Sequence, residues 1–592
     1  MFEAAASAPE PVLGRRCRWL LTARETRTEE FARQLGLTVP VASVLWRRGL
    51  RSPSEVSRFL RPRWEHLHSP WLLRDMDRAA DRLALAVQSR EPVLLYGDYD
   101  VDGTTSIVLL RKTLQHLGAH VIHHVPHRLR DGYGMRPEVL EHAAAQGIRL
   151  VVSLDTGIRA GSVIERARQL GLDVIITDHH LPDAELPAAL AVVNPKRPDC
   201  PYPEKNLCGA ALALKLAQAL LERLRWPEAR VRKMVLSLLK MAALATVADV
   251  VPLTGENRTI VQLGLAGLDT ARNPGLRELL RVAGIAPGRK PSAQEVGFRI
   301  GPRINAAGRM DSAEDVIELF LTSDEERARE LAEKLHSQNV GRQQTEATIL
   351  QAALQCLSGP VRDQDAALVF SGDSWHKGVI GIVASRLVEL YHRPVFVVSR
   401  DPETGELVGS GRSIRGFHLL EALESMAELF ERFGGHAAAA GITLKEGQVE
   451  AFRQRLCAYA AQRLTPADFR PSLEIDACVR LDELSSRAVQ DLFQLAPFGC
   501  GNPEPLLLAS DVEVAGPPSV VAEKHVRIPL RQGPRTVWVT AFRGTEWAQD
   551  LNRGLTLDVV VSLVEDSFAA ARGLPNWSLV LQDFRVASAA TV

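Results

Sequence analysis

Short apolar runs alternate with longer amphipathic segments between residues 76 and 250. The runs are rich in β-branched residues and end at turn residues, so each predicts a strand; they are PVLLYGD, HVIHHVPH, RLVVSLD, DVIITD and AVVNPK. Segments with helical spacing lie between them, such as SIVLLRKTLQHLG and PEVLEHAAAQG. This alternation is typical of an α/β fold with a doubly wound parallel sheet.

The same patterns divide the whole chain into five predicted regions. Residues 1–75 form an N-terminal extension broken by prolines, and residues 76–325 form the first α/β domain. A charged, helix-prone stretch at 326–362 predicts a long connecting helix. A second α/β domain follows at 363–465, in which HLLEALESMAELFERFG is predicted to be a helix. Residues 466–592 alternate short strands with turns, as in a small β-barrel.

Composition excludes several classes of protein. The 592 residues are 46% hydrophobic and contain 71 basic and 71 acidic side chains, which is ordinary for a globular protein and leaves nucleic-acid binding open. The seven cysteines show no C-x-x-C spacing, which argues against a disulfide framework and a thiolate zinc site. With no signal-like N-terminus and no run long enough to span a membrane, we expect a soluble, cytoplasmic protein.

Acidic residues end three of the predicted strands. Asp98, Asp155 and Asp178 each follow an apolar run. Because ligands bind outside the carboxyl ends of parallel strands, these side chains are expected to converge on one crevice. Any one of them alone is more often a helix cap or a turn residue, but all three together favour a metal site. Further candidate ligands adjoin them in sequence: Asp100, Asp102, His179 and His180.

Asp249 is a further candidate ligand, and two other strings in the chain also suggest metal binding. Asp249 lies in the apolar run MAALATVADVVPL, where it is either a further ligand or a helix cap. The string DYDVDG resembles the start of a calcium-binding EF-hand loop, but the twelfth position holds Leu109 instead of glutamate, and a strand precedes the loop. In HVIHHVPH, strand alternation points His123 and His124 to opposite faces, so they are not predicted to chelate together.

Carboxylates combined with imidazoles suit manganese or magnesium. The hypothesis is a centre with two divalent ions about 3.5–4 Å apart, bridged by a carboxylate and by an activated water that attacks phosphorus.

Several strings resemble those of a known enzyme family. GDYDVDG, SLDTG, TDHH and ATVADVVPL occur in the order of the four motifs of the DHH phosphoesterase superfamily. GPRINAAGRM, SWHKGVIGIVASRL, GSGRSIRGFHL and FGGHAAAAGI resemble the RecJ branch of single-strand-specific exonucleases, and LAPFGCGNPEP resembles its OB-fold region. The resemblance implies a DHH domain, a DHH-associated domain after the connecting helix, and a C-terminal OB-type barrel.

The resemblance also implies roles for the candidate ligands. Asp155 is expected to bridge the two ions, with His179 and Asp249 on the second ion. His180 is expected near the scissile phosphate, and Asp178 is expected to orient the histidine pair. Tyr96 departs from the wider superfamily, which commonly has histidine there, so Asp98 is expected to replace it as a ligand. The first motif supplies Asp98, Asp100 and Asp102.

Candidate DNA-binding residues lie in several of these strings. Arg128 and Tyr133 are expected to hold a terminal phosphate and to stack on a base. The GSGRS string is expected to form a phosphate-binding loop. On the barrel, a basic and aromatic surface is a candidate for binding single strands, although the same residues are equally expected as barrel core and solvated rim. The remaining candidates are Arg303, Asn305, Arg309, Ser410, Arg412, Ser413 and His436, and the barrel set is Lys524, His525, Arg527, Arg531, Arg535, Trp538 and Phe542.

The activity implied by the resemblance is a processive, metal-dependent 5′→3′ exonuclease that degrades single-stranded DNA to nucleoside 5′-monophosphates in repair and recombination. It is expected to act as a monomer, with a single-strand-binding protein and a helicase as partners. The alternative in the same class is a phosphodiesterase for short oligoribonucleotides or cyclic dinucleotides. A non-catalytic DNA-binding relative is the alternative of a different class.

Overall fold

The computed structural model describes residues 12–21, 27–128, 130–357, 359, 361, 364–402, 404–566 and 576–587. The N-terminal segment contains β1 (Val12–Leu13), β2 (Arg18–Leu20), α1 (Arg27–Leu35), α2 (Val39–Arg47) and α3 (Pro53–Leu60). Two 3₁₀ turns, Trp64–His66 and Pro70–Leu72, lead to the first α/β domain.

The first domain is built on five parallel strands. They are β3 (Val93–Gly97), β4 (Val121–His124), β5 (Leu150–Leu154), β6 (Asp173–Thr177) and β7 (Ala191–Val193), in the order β4-β3-β5-β6-β7. The helices that accompany them are α4 (Met76–Ser89), α5 (Val101–His116), α6 (Pro137–Ala145) and α7 (Gly161–Gln169). All five predicted strands are present, and the prediction of a parallel sheet is confirmed.

Alternate side chains of the central strands bury into two separate cores. Leu95 and Val152 belong to the core formed with α4 and α5, whereas Leu94 and Val151 pack with α6 and α7. Helices thus cover both faces of the sheet, and the carboxyl ends of its strands are where a ligand is expected to bind. The rest of the domain is helical, comprising α8 (Gly209–Arg223), α9 (Glu228–Ala248), α10 (Gly255–Ala266), α11 (Pro274–Val282), α12 (Ala293–Glu295), a π-helical turn (Val296–Ile300), α13 (Gly301–Met310) and α14 (Glu314–Leu321).

A single long helix, α15 (Glu325–Gln355), leads to the second domain. Asp324 caps its start by accepting from the amides of Glu326 and Arg327. The second domain contains β8 (Leu368–Asp373), α16 (Lys377–Tyr391), β9 (Val395–Arg400), β10 (Leu407–Arg412), α17 (Leu419–Glu424), β11 (Phe430–Gly435), β12 (Ala439–Leu444) and α18 (Val449–Ala461). Its strands form one sheet in the order β11-β12-β10-β9-β8.

Two local predictions in the second domain were wrong. The helix predicted over HLLEALESMAELFERFG ends at Glu424, and its last residues form β11 instead, because Phe430 and Phe433 pack into the sheet's core as β11 pairs with β12. The GSGRS string is not a loop, since Gly409–Arg412 belongs to β10. A Cβ on Gly411 would lie 2.4 Å from the Phe396 ring, so glycine here permits close packing of the sheet.

The C-terminal region contains a closed five-stranded barrel. Strands β15 (Leu507–Val514), β19 (Thr556–Glu565), β20 (Trp577–Val586), β18 (Arg535–Ala541) and β17 (His525–Gln532) follow one another, and β17 pairs back to β15, which confirms the barrel prediction. The other elements of this region are β13 (Ser472–Glu474), β14 (Ala477–Cys478), α19 (Ser486–Phe493) and β16 (Ser519–Val521).

The N-terminal segment packs against this barrel region. Strand β2 pairs with β13, and α1 to α3 share a hydrophobic core with the barrel. Over the part of the chain that is described, no helix combines the length and the apolar character needed to cross a bilayer.

Candidate metal centre and nucleic-acid interface

The strand ends bring the predicted ligands to one place. Asp98 follows β3, Asp155 follows β5 and Asp178 follows β6, on three adjacent parallel strands. The backbone of Asp155 has a φ of 63°, which a non-glycine residue seldom adopts, and its amide is fixed by the carbonyl of Thr177 at 2.9 Å. Strain of this kind persists only where neighbouring structure holds it, and it is common at functional sites.

Backbone amides hold two carboxylates of the first motif. Asp100 caps α5, since its Oδ1 accepts from the amides of Asp102 and Gly103 at 2.9 and 3.0 Å. Both oxygens of Asp102 accept from the first amides of α8, Gly209 at 2.5 Å and Ala210 at 2.7 Å. A helix start favours negative charge, so α8 stabilises this carboxylate as an anion. A carboxylate oxygen has further lone pairs, so neither contact prevents metal binding.

The ligand-type atoms form overlapping groups. His179 Nε2 lies 3.1 Å from Asp155 Oδ1, and 3.7 Å from both Asp102 Oδ2 and Asp249 Oδ2. Three sets have ligand atoms within 4.8 Å of one another: Asp98 with Asp100 and Asp155, Asp102 with His179 and Asp249, and Asp155 with His179 and His180. Asp155 belongs to two of the three sets, on both sides of the site.

Several of these atoms are buried without a hydrogen bond. Among the described residues, Asp98 Oδ1, Asp155 Oδ1, Asp249 Oδ2 and His179 Nδ1 make no hydrogen bond. Buried polar atoms are nearly always satisfied in native structures, and a group of unsatisfied carboxylate oxygens is what a bound cation would satisfy. The residues present therefore fit a divalent metal, with oxygen ligands predominating.

The electrostatics agree with this assignment. Burial, with the charge of Asp100, raises the pKa of Asp98 to about 8, and burial, with the charge of Asp102, raises the pKa of Asp249 to about 9. Burial and neighbouring carboxylates likewise raise the pKa values of Asp102 and Asp155. Burial lowers the pKa of His179, which keeps its imidazole neutral and able to act as a ligand. These carboxylates repel one another until a cation compensates them.

Asp178 and His180 form a hydrogen-bonded pair, in which His180 also belongs to the group with Asp155 and His179. His180 Nδ1 donates to Asp178 Oδ1 at 2.7 Å, and the amides of His180 and Ile158 donate to the same carboxylate. Burial opposes the charge on each group, but their mutual contact lowers the pKa of Asp178 and raises that of His180. This pairing orients His180 and leaves its Nε2 free. Of the two adjacent histidines, His179 and His180, Asp178 thus holds His180 by direct contact.

Tyr133 and Arg128 contact different partners. The Tyr133 hydroxyl lies 3.3 Å from His180 Nδ1, whereas the Arg128 guanidinium lies 4.8 Å above the ring of Tyr99. Tyr99 immediately follows Asp98, so Arg128 still stands beside the acidic cluster, and its charge acts on Asp98. Tyr99 was missed, although its place inside the DYD motif is a usable signal.

Arginines from three elements converge next to the acids. Arg309 on α13 is buried, and burial together with the charges of Arg128, Arg342 and Arg412 lowers its pKa to about 10. Arg412 Nη1 donates to Ser410 Oγ at 3.1 Å, and Arg309 Nη1 donates to the carbonyl of Gly378 at 2.9 Å. Positive groups that crowd together in this way are suited to bind a polyanion such as a phosphate chain.

The remaining sequence candidates lie around this arginine group in different roles. Asn305 accepts from the amide of Val101, so it anchors the start of α5. Arg303 donates to the carbonyl of Arg299, one and a half turns along α13 from Arg309. Ser413 donates to the carbonyl of Phe417, and its amide donates to Ala438, beside exposed His436.

Two glycines that the sequence analysis missed allow other segments to pack closely against the site. A Cβ on Gly209 would lie 2.7 Å from Cβ of Asp155, so only glycine allows α8 to start there. Gly308 has the same relation to Tyr99, since its added Cβ would meet the Tyr99 carbonyl at 2.7 Å. By contrast, His123 of the histidine-rich strand contacts Glu314 at 2.6 Å and belongs to none of the three ligand groups.

The outer face of the barrel carries exposed aromatic side chains beside basic ones. Trp538 and Phe542 are 50% and 56% exposed. Arg527 stacks 5.2 Å from the Trp538 ring, and the His525 ring meets Phe542 at 5.0 Å. The solvent-facing interpretation of these residues is therefore the one that the structure supports. Arg531 pairs with Glu513 and Arg535 donates to the Leu484 carbonyl, so those two are already engaged.

Comparison with known domain families defines the class of protein. Residues 92–246 match the DHH family N-terminal domain, residues 364–462 match the DHHA1 domain, and residues 475–582 match the RecJ OB domain. The ligand groups above lie in the DHH region, with Asp249 just beyond its matched end. The chain is thus a DHH-type enzyme with an associated DHHA1 domain and an OB barrel.

Individual relatives give the particular family. The chain is 36% identical over 551 residues to the single-stranded-DNA-specific exonuclease RecJ of Bacillus subtilis, covering 93% of this chain and 69% of that protein. The crystal structure of Thermus thermophilus RecJ with Mn²⁺ matches at 32% identity and a TM-score of 0.81, covering 97% of this chain and 80% of that one. The Mg²⁺ complex of the same protein matches at 31% identity and a TM-score of 0.76, with 97% and 79% covered. The chain belongs to the RecJ family of exonucleases.

Proposed function

We propose that this protein is a divalent-metal-dependent exonuclease that degrades single-stranded DNA from the 5′ end to nucleoside 5′-monophosphates by two-metal hydrolysis. The observation that carries the proposal is the cluster of unsatisfied, buried carboxylates adjoining a cluster of arginines. The acids suit cations and the arginines suit phosphates, so a phosphodiester lying across both would be bound on each side.

The ligand groups support two ion positions that share one carboxylate. Asp98, Asp100 and Asp155 would hold one ion, and Asp102, His179 and Asp249 the other; Asp155 Oδ1, which lies 3.1 Å from His179 Nε2, would contribute to both. Manganese or magnesium at these positions would lower the pKa of bound water and neutralise charge on the phosphate. Both metals are present in the crystal structures of Thermus RecJ, which supports their use here.

The protein's own residues would position the substrate and manage protons. Asp178 fixes the His180 ring, so Nε2 can donate a hydrogen bond to a phosphate oxygen. The raised pKa of His180 favours the protonated ring that such donation needs. Tyr133, 57% exposed and in reach of His180, would contact the nucleotide next to the cleaved bond.

The direction of degradation, from the 5′ end, would be set by the arginines beside the acidic cluster. Arg128, Arg309 and Arg412 lie on the side of the cluster formed by the first motif and the second domain, where a terminal phosphate could be recognised. A 5′ phosphate held there would place the next phosphodiester at the metal groups. The barrel face with Trp538 and Phe542 would bind the remaining strand by base stacking, which requires unpaired bases.

The proposal is tested by digesting single strands labelled at the 5′ or the 3′ end, with manganese and with a chelator. The 5′ label should appear at once as mononucleotide, whereas the 3′ label should pass through progressively shorter strands. The chelator should stop both reactions, and a blunt duplex should remain intact. Immediate mononucleotide from the 3′ label, or efficient attack on the blunt duplex, would contradict the proposal.

A dinucleotide in the same assay separates the proposal from the small-substrate alternative. If long strands are the substrate, kcat/KM should be much higher for a long 5′-phosphorylated strand than for the dinucleotide, because the barrel face adds binding only to the long strand. Recruitment by a single-strand-binding protein and a helicase, a role in repair, and action as a monomer remain part of the proposal, tested by pull-down with purified partners and by light scattering.

A further inference from the structure

Tyr96 is the penultimate residue of β3 and its side chain points away from the metal groups. It is fully buried on the face of the sheet that packs against α6 and α7. Its hydroxyl donates to the backbone carbonyl of Gly134 at 3.1 Å, and its ring lies 5.0 Å from His124. The polar end of this side chain thus reaches the loop between β4 and α6.

That loop carries Tyr133 between two glycines in left-handed conformations. Gly132 has a φ of 75° and Gly134 has a φ of 104°, and no heavy atom lies within 4 Å of the Cβ position of either residue. Steric packing at these two glycines therefore does not confine the backbone around Tyr133. The Tyr133 hydroxyl nevertheless stands 3.3 Å from His180 Nδ1 and 3.5 Å from the Asp155 carbonyl.

We infer that Tyr96 is a positioning residue, whose hydroxyl fixes the Gly134 carbonyl and thereby holds Tyr133 against His180 at the substrate side of the metal centre. The inference rests on the proposed function for the role of Tyr133, and it concerns a residue that touches neither metal nor DNA.

The burial of Tyr96 suits it to this task. Its side chain is shielded from solvent, so the hydrogen bond to the partly buried Gly134 carbonyl competes little with water, and its loss removes that donor. Asp131 accepts from the His127 amide and pairs with Arg136, which fixes both flanks of the loop; at its tip the Tyr96 hydroxyl binds the Gly134 carbonyl and Met135 packs into the core.

The test is a double-mutant cycle on the full chain. Tyr96→Phe deletes only the hydroxyl and should lower kcat/KM on a 5′-labelled single strand by about three- to tenfold, the size expected for one buried hydrogen bond. Tyr133→Ala should lower it by at least as much, and Tyr96→Phe combined with Tyr133→Ala should be no worse than Tyr133→Ala alone, since both act through Tyr133. Tyr391→Phe, a hydroxyl deletion at the end of α16, is the matched control and should have no effect.

A readout independent of activity is hydrogen exchange of the amides at 132–136, which should become faster in Tyr96→Phe but not in Tyr391→Phe. Multiplicative loss in the double variant, or unchanged exchange, would overturn the inference while leaving the proposed function intact. A wild-type protein that fails to cut single strands would overturn the proposed function, and the exchange measurement would then still decide whether Tyr96 holds the loop. Full activity of Tyr133→Ala would overturn the link to catalysis.

Discussion

Replacing Asp98 by Asn should stabilise the metal-free protein and abolish its stabilisation by manganese. Burial, with the charge of Asp100, raises the pKa of Asp98 from 3.8 to about 8. Between these values the folded protein holds a proton that the unfolded chain has lost. Because the folded state binds more protons there, stability falls as the pH rises through this window and stays low above it.

The structure sets the scale of the effect. A shift of about 4 pKa units corresponds to at most about 6 kcal/mol, at about 1.4 kcal/mol per unit. Local relaxation and water reduce such penalties, so we expect Asp98→Asn to gain about 1–3 kcal/mol in free energy of unfolding at pH 9 and almost nothing at pH 4. Asparagine keeps the shape of the side chain and removes only the charge.

Urea unfolding in the presence of a chelator, repeated from pH 4 to pH 9, measures this gain, and the same series with manganese measures the loss of metal binding. Glu431→Gln, which removes the charge of an exposed acid on β11, is the control and should shift neither series. The reasoning is refuted if Asp98→Asn unfolds like the wild type at pH 9 without metal, or if manganese stabilises it as much as the wild type.

Three further perturbations address other parts of the site. Gly209→Ala should weaken manganese binding, measured by titration calorimetry, because its Cβ would lie 2.7 Å from that of Asp155; unchanged affinity would contradict this. Arg412→Ala should reduce the preference for 5′-phosphorylated over 5′-hydroxyl strands about tenfold or more in competition digests, since a charge-assisted bond is lost; an unaltered preference would count against the phosphate site. Trp538→Ala should weaken binding of long strands by about 1–3 kcal/mol, with dinucleotide cleavage unchanged; equal loss on both substrates would contradict a role in strand binding.

The sequence alone predicted the arrangement of the metal site because the fold makes that arrangement simple. Parallel strands end at one edge of a sheet, so Asp98, Asp155 and Asp178 had to meet once the strands were recognised. His179 was predicted to lie at the same site because it directly follows Asp178 in the chain. Asp249 was open between ligand and helix cap; it is the C-cap residue of α9, and its Oδ2 lies 3.7 Å from His179 Nε2, within one of the groups of candidate ligands.

Contacts that depend on packing between distant segments were not predictable. The start of α8 against Asp102 and Asp155 requires knowing how a helix more than fifty residues after Asp155 returns to the sheet. The contact of Arg128 with the Tyr99 ring is a further case, since these two residues lie far apart in the chain and meet only through the fold.

The errors in the second domain have a local cause. Residues 418–434 have high helix propensity, but the burial of Phe430 and Phe433 in the sheet outweighs it. Glycines in GSGRS suggested a turn, whereas in the structure they make room for Ile442 and Phe396 on adjacent strands. In both places a tertiary contact decides the conformation, and no short sequence window contains that contact.

The central claim is that Asp155, the carboxylate common to two of the three ligand groups, makes metal-dependent hydrolysis possible. Mononucleotide release from a 5′-labelled single strand, measured in manganese for the wild type and for Asp155→Ala, tests it most directly. We predict steady release by the wild type and none by a folded Asp155→Ala protein, whose circular dichroism matches the wild type. Release by Asp155→Ala at a rate close to that of the wild type would contradict the account.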